Sequence, residues 1–293
     1  MDDIRGFCRD EYVDYTVYRE LARREKNEGR RKILESLAAT EYEHYRFWSK
    51  TLGGYEPRVS GLFIKLFHVM RVLFGLTFTL KLLERHEEEV IRGYKRYAAT
   101  LSGDEKALVE EIIQQEEEHE RYFMSQIDEG VVRYMSFIVL GLADAIVEIT
   151  GVHAGFLGVT SSTLIAGIAG LVVGFAAAIS MASAAYLQAK QDIARSPVIS
   201  ALTTGVSYIG AVAVLALPYF LTEDMITAFT VSVMLAVLLT AAFTFYGAVI
   251  NERSFKREFA ESVALILGTA FATYLFGDFL GRLFGVQQAV SLF

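Results

Sequence analysis

Residues 41–44 read Glu41-Tyr42-Glu43-His44, and residues 116–119 read Glu116-Glu117-Glu118-His119. Both are Glu-x-x-His. On a helix the first and fourth side chains of such a run share one face, close enough to grip one metal ion. The flanking sequence has helical periodicity and almost no strand alternation, so residues 1–130 are predicted to form four helices. The first covers about 8–27 and stops at Asn27-Glu28-Gly29. The second covers about 30–51 and ends at Gly53-Gly54, a C-terminal signal. The third covers about 78–100, and Ser102-Gly103-Asp104-Glu105 is a capping box that opens the fourth. The fourth is expected to continue towards the hydrophobic half of the chain, broken only at Gly130.

The first and third helices must supply the remaining carboxylates. Glu11 lies 30 residues before Glu41, and Glu84 and Glu87 lie 32 and 29 residues before Glu116. The candidate metal ligands are therefore Glu11, Glu41, His44, Glu84, Glu87, Glu116 and His119. One Glu-x-x-His in a glutamate-rich helix would be a weak signal. Two at matched spacing, each with an upstream glutamate on its own helix, follow the ligand pattern of a two-metal carboxylate bundle. Glu110, Glu111, Glu117, Glu118 and Glu120 read as solvated faces. Carboxylate with imidazole suits iron or manganese better than copper(I), so the expected cofactor is a di-iron centre, with manganese the other metal the donors suit. No Cys-x-x-Cys pair exists to hold a separate electron-transfer iron.

Composition divides the chain at the same place. Hydrophobic residues make up 53% and charged residues 22% of the 293 residues, an ill-matched pair of figures for one uniform globule. Of the 28 Lys+Arg only 7 follow Gly130, and of the 35 Asp+Glu only 9. The first part reads as water-soluble and the second as lipid-soluble. Cys8 is alone, which excludes an internal disulfide. A net charge of −7 without a basic run leaves no footprint for nucleic acid. Residues 1–30 are crowded with charge, so no cleavable signal peptide is expected.

A spanning helix needs about 20 apolar residues. Five segments qualify: 133–157, 161–188, 196–222, 225–250 and 259–281. The fold class is thus all-α, a four-helix bundle over 1–130 followed by a five-helix transmembrane domain over 131–293. Basic residues alternate between connections. Lys190 and Arg195 lie in 189–195, and Arg253, Lys256 and Arg257 in 251–258, whereas 158–160 has no cation and 222–224 carries Glu223 and Asp224. Basic connections belong in the cytoplasm. The N-terminal domain is then cytoplasmic and the C-terminus outside, with Arg282 the exception. The first span holds Asp144, Glu148 and His153. Intramembrane carboxylates are costly, and Asp144 and Glu148, four apart, share one helix face. They imply a compensating cation, a proton or a water-filled path. Met181, on the second span, offers a soft thioether to a transition metal, though a methionine there also serves as packing. Gly167, Gly170 and Gly174 permit close helix contact, either within the chain or at a dimer seam.

Residues 55–77 are longer than an ordinary connection. Leu62-Phe63-Ile64-Lys65-Leu66-Phe67-His68-Val69-Met70-Arg71-Val72-Leu73-Phe74 places Lys65, His68 and Arg71 three apart as a polar stripe. An amphipathic helix over about 58–77, lying in a bilayer surface, is the preferred reading. Packing on the bundle or on a second subunit is the competing one.

Residues 8–129 resemble a rubrerythrin-type ferritin-like domain. The resemblance rests on Glu11 with Tyr18 seven residues on, Glu41 with His44, Glu84 with Glu87, and Glu116 with His119. Residues 131–281 resemble the vacuolar iron transporter family, through Gly141-Leu142-Ala143-Asp144, Ser180-Met181-Ala182 and Tyr186-Leu187. The combination is similar to the prokaryotic membrane-bound ferritin (erythrin–vacuolar iron transporter) group. The resemblance implies a dimeric carrier of Fe²⁺, and of Mn²⁺, driven by proton exchange, with Asp144, Glu148 and Met181 on the translocation path. The plant and fungal transporters carry a cytoplasmic metal-binding insert between the second and third spans, and here that connection shrinks to about 189–195.

The expected function is export of Fe²⁺ from the cytoplasm by proton antiport across a prokaryotic inner membrane, with metal captured by the soluble bundle. The alternative is a membrane-anchored di-iron oxidoreductase, a ferroxidase or peroxidase. A mere anchor needs one span and no buried carboxylates, which favours the transporter. A third reading makes the bundle an iron sensor that gates the carrier.

Overall fold

The computed structural model describes residues 2–85, 87–126, 130–193 and 195–286; of these, the side chains of 2, 3, 84, 87, 88, 119–126 and 130–133 are not described. The described residues form helices and their connections, with no strand among them. The chain divides into two compact units, 1–129 and 130–293.

The first unit begins with a helical hairpin, α1 (Asp2–Arg24) and α2 (Glu28–Thr51). Asn27 caps α2 by accepting the Arg30 N–H at 3.0 Å, and the Glu25 carboxylate accepts the Asn27 N–H at 2.8 Å. Gly53 and Gly54 end α2 at φ 73° and 93°, a backbone region that a side chain disfavours. The connection that follows contains α3 (Gly61–Phe74), capped by Ser60. Gly75, at φ 91°, turns the chain into α4 (Leu76–Glu84). A second break at Arg85 separates α4 from α5 (Glu87–Ala98). The third bundle helix expected over 78–100 is therefore two helices. α6 (Asp104–Gln126) completes the unit.

Two apolar clusters hold these helices together. One contains Val17, Leu21, Leu34, Leu37, Phe67, Leu76 and Leu80; the other contains Phe7, Cys8, Trp48, Ile91, Tyr94, Val109 and Ile112. Along α1 and α2 the stretch between the clusters carries Glu11, Glu41 and His44. These polar side chains thus lie between two apolar clusters.

The second unit contains α7 (Gly130–Val159), α8 (Thr163–Ala189), α9 (Pro197–Ala216), the short α10 (Pro218–Leu221), α11 (Met225–Ile250) and α12 (Phe255–Leu283). Among the described residues five segments are long and apolar enough to cross a membrane: Tyr134–Val159, Thr163–Ala189, Pro197–Leu221, Met225–Ile250 and Phe255–Leu283. The third is interrupted at Pro218, which lacks the N–H that would continue the ladder. α7 is the hub, touching α8, α9, α11 and α12.

Small residues set its approach distances. A Cβ on Gly277 of α12 would stand 2.1 Å from the Gly155 carbonyl oxygen, and one on Gly158 would stand 2.6 Å from the Asp278 nitrogen. The α7–α12 crossing is therefore backbone against backbone. The glycines of α8 also face inward. Gly167 meets Tyr219 and Phe220, Gly170 meets His153, and Gly174 meets Val212 and Ile149. Of their two expected uses, the structure takes intrachain packing. Hydroxyls bind main-chain oxygens across helices, as Thr204 Oγ1 does to Phe137 O at 3.1 Å and Ser232 Oγ to Leu215 O at 2.8 Å.

Candidate metal centre

Glu11 on α1, Glu41 and His44 on α2, and Glu116 on α6 converge in the soluble unit. Each offers one ligand atom, and these atoms all lie within 4.8 Å of one another. All four residues are 5% exposed or less. His44 Nδ1 is the centre of the group, 2.7 Å from Glu116 Oε1, 3.5 Å from Glu11 Oε2 and 3.6 Å from Glu41 Oε2. The other ring nitrogen, Nε2, lies 2.8 Å from Gln115 Oε1. With Nε2–H donating to that oxygen, Nδ1 keeps its lone pair for the space between the carboxylates. On the far side the Tyr94 hydroxyl donates to Glu11 Oε1.

The charges show how a cation would fit these groups. Burial pushes the Glu41 carboxyl up, and the Glu116 charge beside it pushes further. Burial likewise raises Glu116, helped by the Glu11 charge. Burial would raise Glu11 as well, but bonds from His44 hold it below the usual carboxylate range. Burial alone would lower the His44 imidazole. Bonds to Glu11, Glu116 and Glu41 instead raise it far above its ordinary value. Without a metal ion, protons on Glu41, Glu116 and His44 supply the balancing charge. A divalent ion would supply two units of it and use the same donor atoms. Three carboxylates and one imidazole are the oxygen-and-nitrogen donor set that iron(II) and manganese(II) accept.

Of the seven ligands expected from the sequence, four are brought together. The side chains of the other three, Glu84, Glu87 and His119, lie outside the described residues; their backbones end α4, begin α5 and continue α6. Three residues at this site were not among the expected ligands. Tyr94 and Gln115 hold Glu11 and His44. Asp14, one turn beyond Glu11, lines with Asp10, Val90 and Ile91 a cleft against the cluster. A signal for Tyr94 did exist. Glu87 precedes it by seven residues, the same spacing as Glu11 to Tyr18.

In the second unit Asp144 and Glu148 lie on α7. Asp144 is exposed on the single chain and Glu148 is half-buried, with the Tyr208 hydroxyl donating to its Oε2. Met181 is half-buried and packs against the apolar cluster that contains Ala145, Ile149 and Tyr208. Gly141, ahead of Asp144, lets the α7 backbone meet α9; a Cβ there would lie 2.5 Å from the Thr204 carbonyl oxygen.

Residues 7–127 match the rubrerythrin family model, and residues 190–278 match the model described as the VIT family. The chain is a rubrerythrin-type domain joined to a VIT-family membrane domain. The rubrerythrin match contains every expected ligand of the soluble site. The VIT match starts after α8, so Asp144, Glu148 and Met181 precede the matched residues. Comparisons with curated proteins and with solved structures gave no significant match. The five apolar helices and the VIT-family domain make this a multi-pass membrane protein.

Proposed function

We propose that this chain exports Fe²⁺, with Mn²⁺ as a second cargo, from the cytoplasm in exchange for protons. In this reading the rubrerythrin domain faces the cytoplasm of a prokaryotic cell, the C-terminus lies outside, and the protein works as a homodimer in the inner membrane. The observation that carries it is the buried Glu11–Glu41–His44–Glu116 cluster in a chain that also has five spanning helices. The rubrerythrin and VIT matches together support a membrane metal transporter with a ferritin-like domain.

The cluster draws a divalent ion out of water by charge and holds it by fixed donors. Gln115 keeps the imidazole turned inward, and Tyr94 keeps Glu11 in place. Glu84, Glu87 and His119 complete a two-ion site. Asp144 and Glu148 form the membrane station, where carboxylates accept protons as the cation leaves, which couples the two fluxes. Tyr208 holds Glu148, and Met181 lines the same helix packing.

The test is metal flux in proteoliposomes under an imposed pH gradient. Wild-type protein moves Fe²⁺ against the proton flow, and Asp144→Ala abolishes the flux while the soluble domain keeps its metal. Wild-type rates in the variant, or flux indifferent to the gradient, would overturn the proposal. The rubrerythrin match also favours a second reading, oxidation of Fe²⁺ or reduction of peroxide at the soluble site. Oxygen or peroxide consumption that persists in Asp144→Ala and tracks no transport would select it.

A further inference from the structure

Helix α3 turns its apolar side outward. Leu62 is 78% exposed, Val72 69% and Leu73 67%, and Phe63, Leu66 and Val69 are also exposed. At about 100° per residue, Leu62, Leu66, Val69 and Leu73 line one side of the helix and Ile64, Phe67 and Arg71 the opposite side. The inner side is occupied. Phe67 is buried with Val17, Leu21 and Leu80, and Arg71 Nη2 lies 2.5 Å from the buried Glu25 carboxylate. The stripe Lys65–His68–Arg71 therefore winds from the exposed side to the bundle, because Glu25 draws its last member inward. Turning the apolar side in would cost the Arg71–Glu25 pair and would strip Phe67 from its cluster.

Charge decides what covers this side. Residues 57–83 hold Arg58, Lys65, Arg71 and Lys81 and no Asp or Glu, in a chain of net charge −7. Lys65 stands exposed on the flank of the apolar stripe. A two-fold contact through this face would bring Lys65 against its own copy with no carboxylate of the segment beside it, since Arg71 is already paired with Glu25. A lipid surface takes both kinds of group, the leucines and valines in the acyl boundary and the cations at the phosphates. A multi-pass membrane protein is never without such a surface. We propose that α3 lies in a bilayer surface, with the Leu62–Leu66–Val69–Leu73 stripe in the acyl–headgroup boundary and Lys65 at the phosphates. This holds whether or not the chain transports metal.

The full chain in nanodiscs tests it. Cys8 is fully buried, so an environment-sensitive probe can be attached to an introduced thiol at Leu73→Cys or Leu66→Cys, with Lys32→Cys on the exposed side of α2 as control. Native emission from Trp48, the single tryptophan, verifies each fold. Spin-labelled lipid should quench the α3 probes several-fold more than the control, while aqueous iodide quenches the control more. Iodide reaching α3 and control equally would overturn the proposal. So would α3 probes shielded from both quenchers, since protein would then be the cover.

Discussion

The soluble cluster and the Asp144–Glu148 pair place the same kind of side chain in opposite settings. Around His44, three buried carboxylates lie between apolar clusters, and partners outside the group hold two of its members: Gln115 the imidazole, Tyr94 Glu11. On α7, Glu148 has one partner, Tyr208, and Asp144 stands exposed on the single chain. Among the described residues no imidazole joins them as His44 joins the glutamates. The first arrangement would suit holding an ion, since His44 and Glu11 are oriented by partners outside the cluster. The second suits passing one on, since a less constrained carboxylate gives up its charge partner at lower cost.

The largest effect should come from Asp144→Ala. If the membrane pair passes ions that the cluster holds, metal flux in proteoliposomes falls to background while metal bound per chain is unchanged. Loss of both would merge the two sites into one function. Next, His44→Ala should weaken metal binding by at least about 100-fold, and Gln115→Leu by about 10–100-fold, as expected when a ligand loses the group that orients it. Titration calorimetry on the full chain in detergent reads both. Flux at saturating Fe²⁺ then sharpens the comparison. Flux that survives in His44→Ala makes the cluster a capture site, and flux that vanishes makes it a gate.

A smaller effect tests the scaffold of the membrane site. Gly277→Ala sets a methyl group 2.1 Å from a backbone oxygen that has no rotamer to escape by. It should cost about 1–3 kcal/mol, read as easier denaturant unfolding of the membrane domain with metal binding by the soluble cluster intact.

Glu25 gives the mildest expected change. Burial favours its neutral form, but the Asn27 N–H and Arg71 guanidinium outweigh that and hold the carboxyl below its ordinary range. Its contribution is therefore full above the unfolded value, about 4.3, and is lost as pH falls through the lower folded value. Glu25→Gln should cost about 1–3 kcal/mol at neutral pH, and the difference from wild type should shrink in acid. Thermal melts followed by Trp48 emission measure both.

Much of the candidate site was legible because its logic is local. Glu41 with His44 is a spacing on one helix, and no packing is needed to know that the two share a face. Glu11 was legible by its distance from Glu41, since a hairpin of two such helices returns the chain to the same level. Gln115 and Tyr94 were harder. A glutamine beside a Glu-rich run and a tyrosine among several carry no mark of their partner, and only the fold brings Gln115 against a histidine 71 positions away. α3 was half legible. Its apolar run is plain in the letters, but which side it turns outward depends on Glu25, a residue 46 positions earlier.

Sequence alone determined the division of the chain, the five spanning segments and the repeat of Glu-x-x-His, because charge density, apolar length and helical period are properties of neighbouring residues. Tertiary structure decided which glutamates meet one imidazole, which glycines let backbones touch and which side of α3 is left uncovered. Those outcomes depend on groups distant in the chain competing for the same small volume, and no local pattern encodes which of them wins.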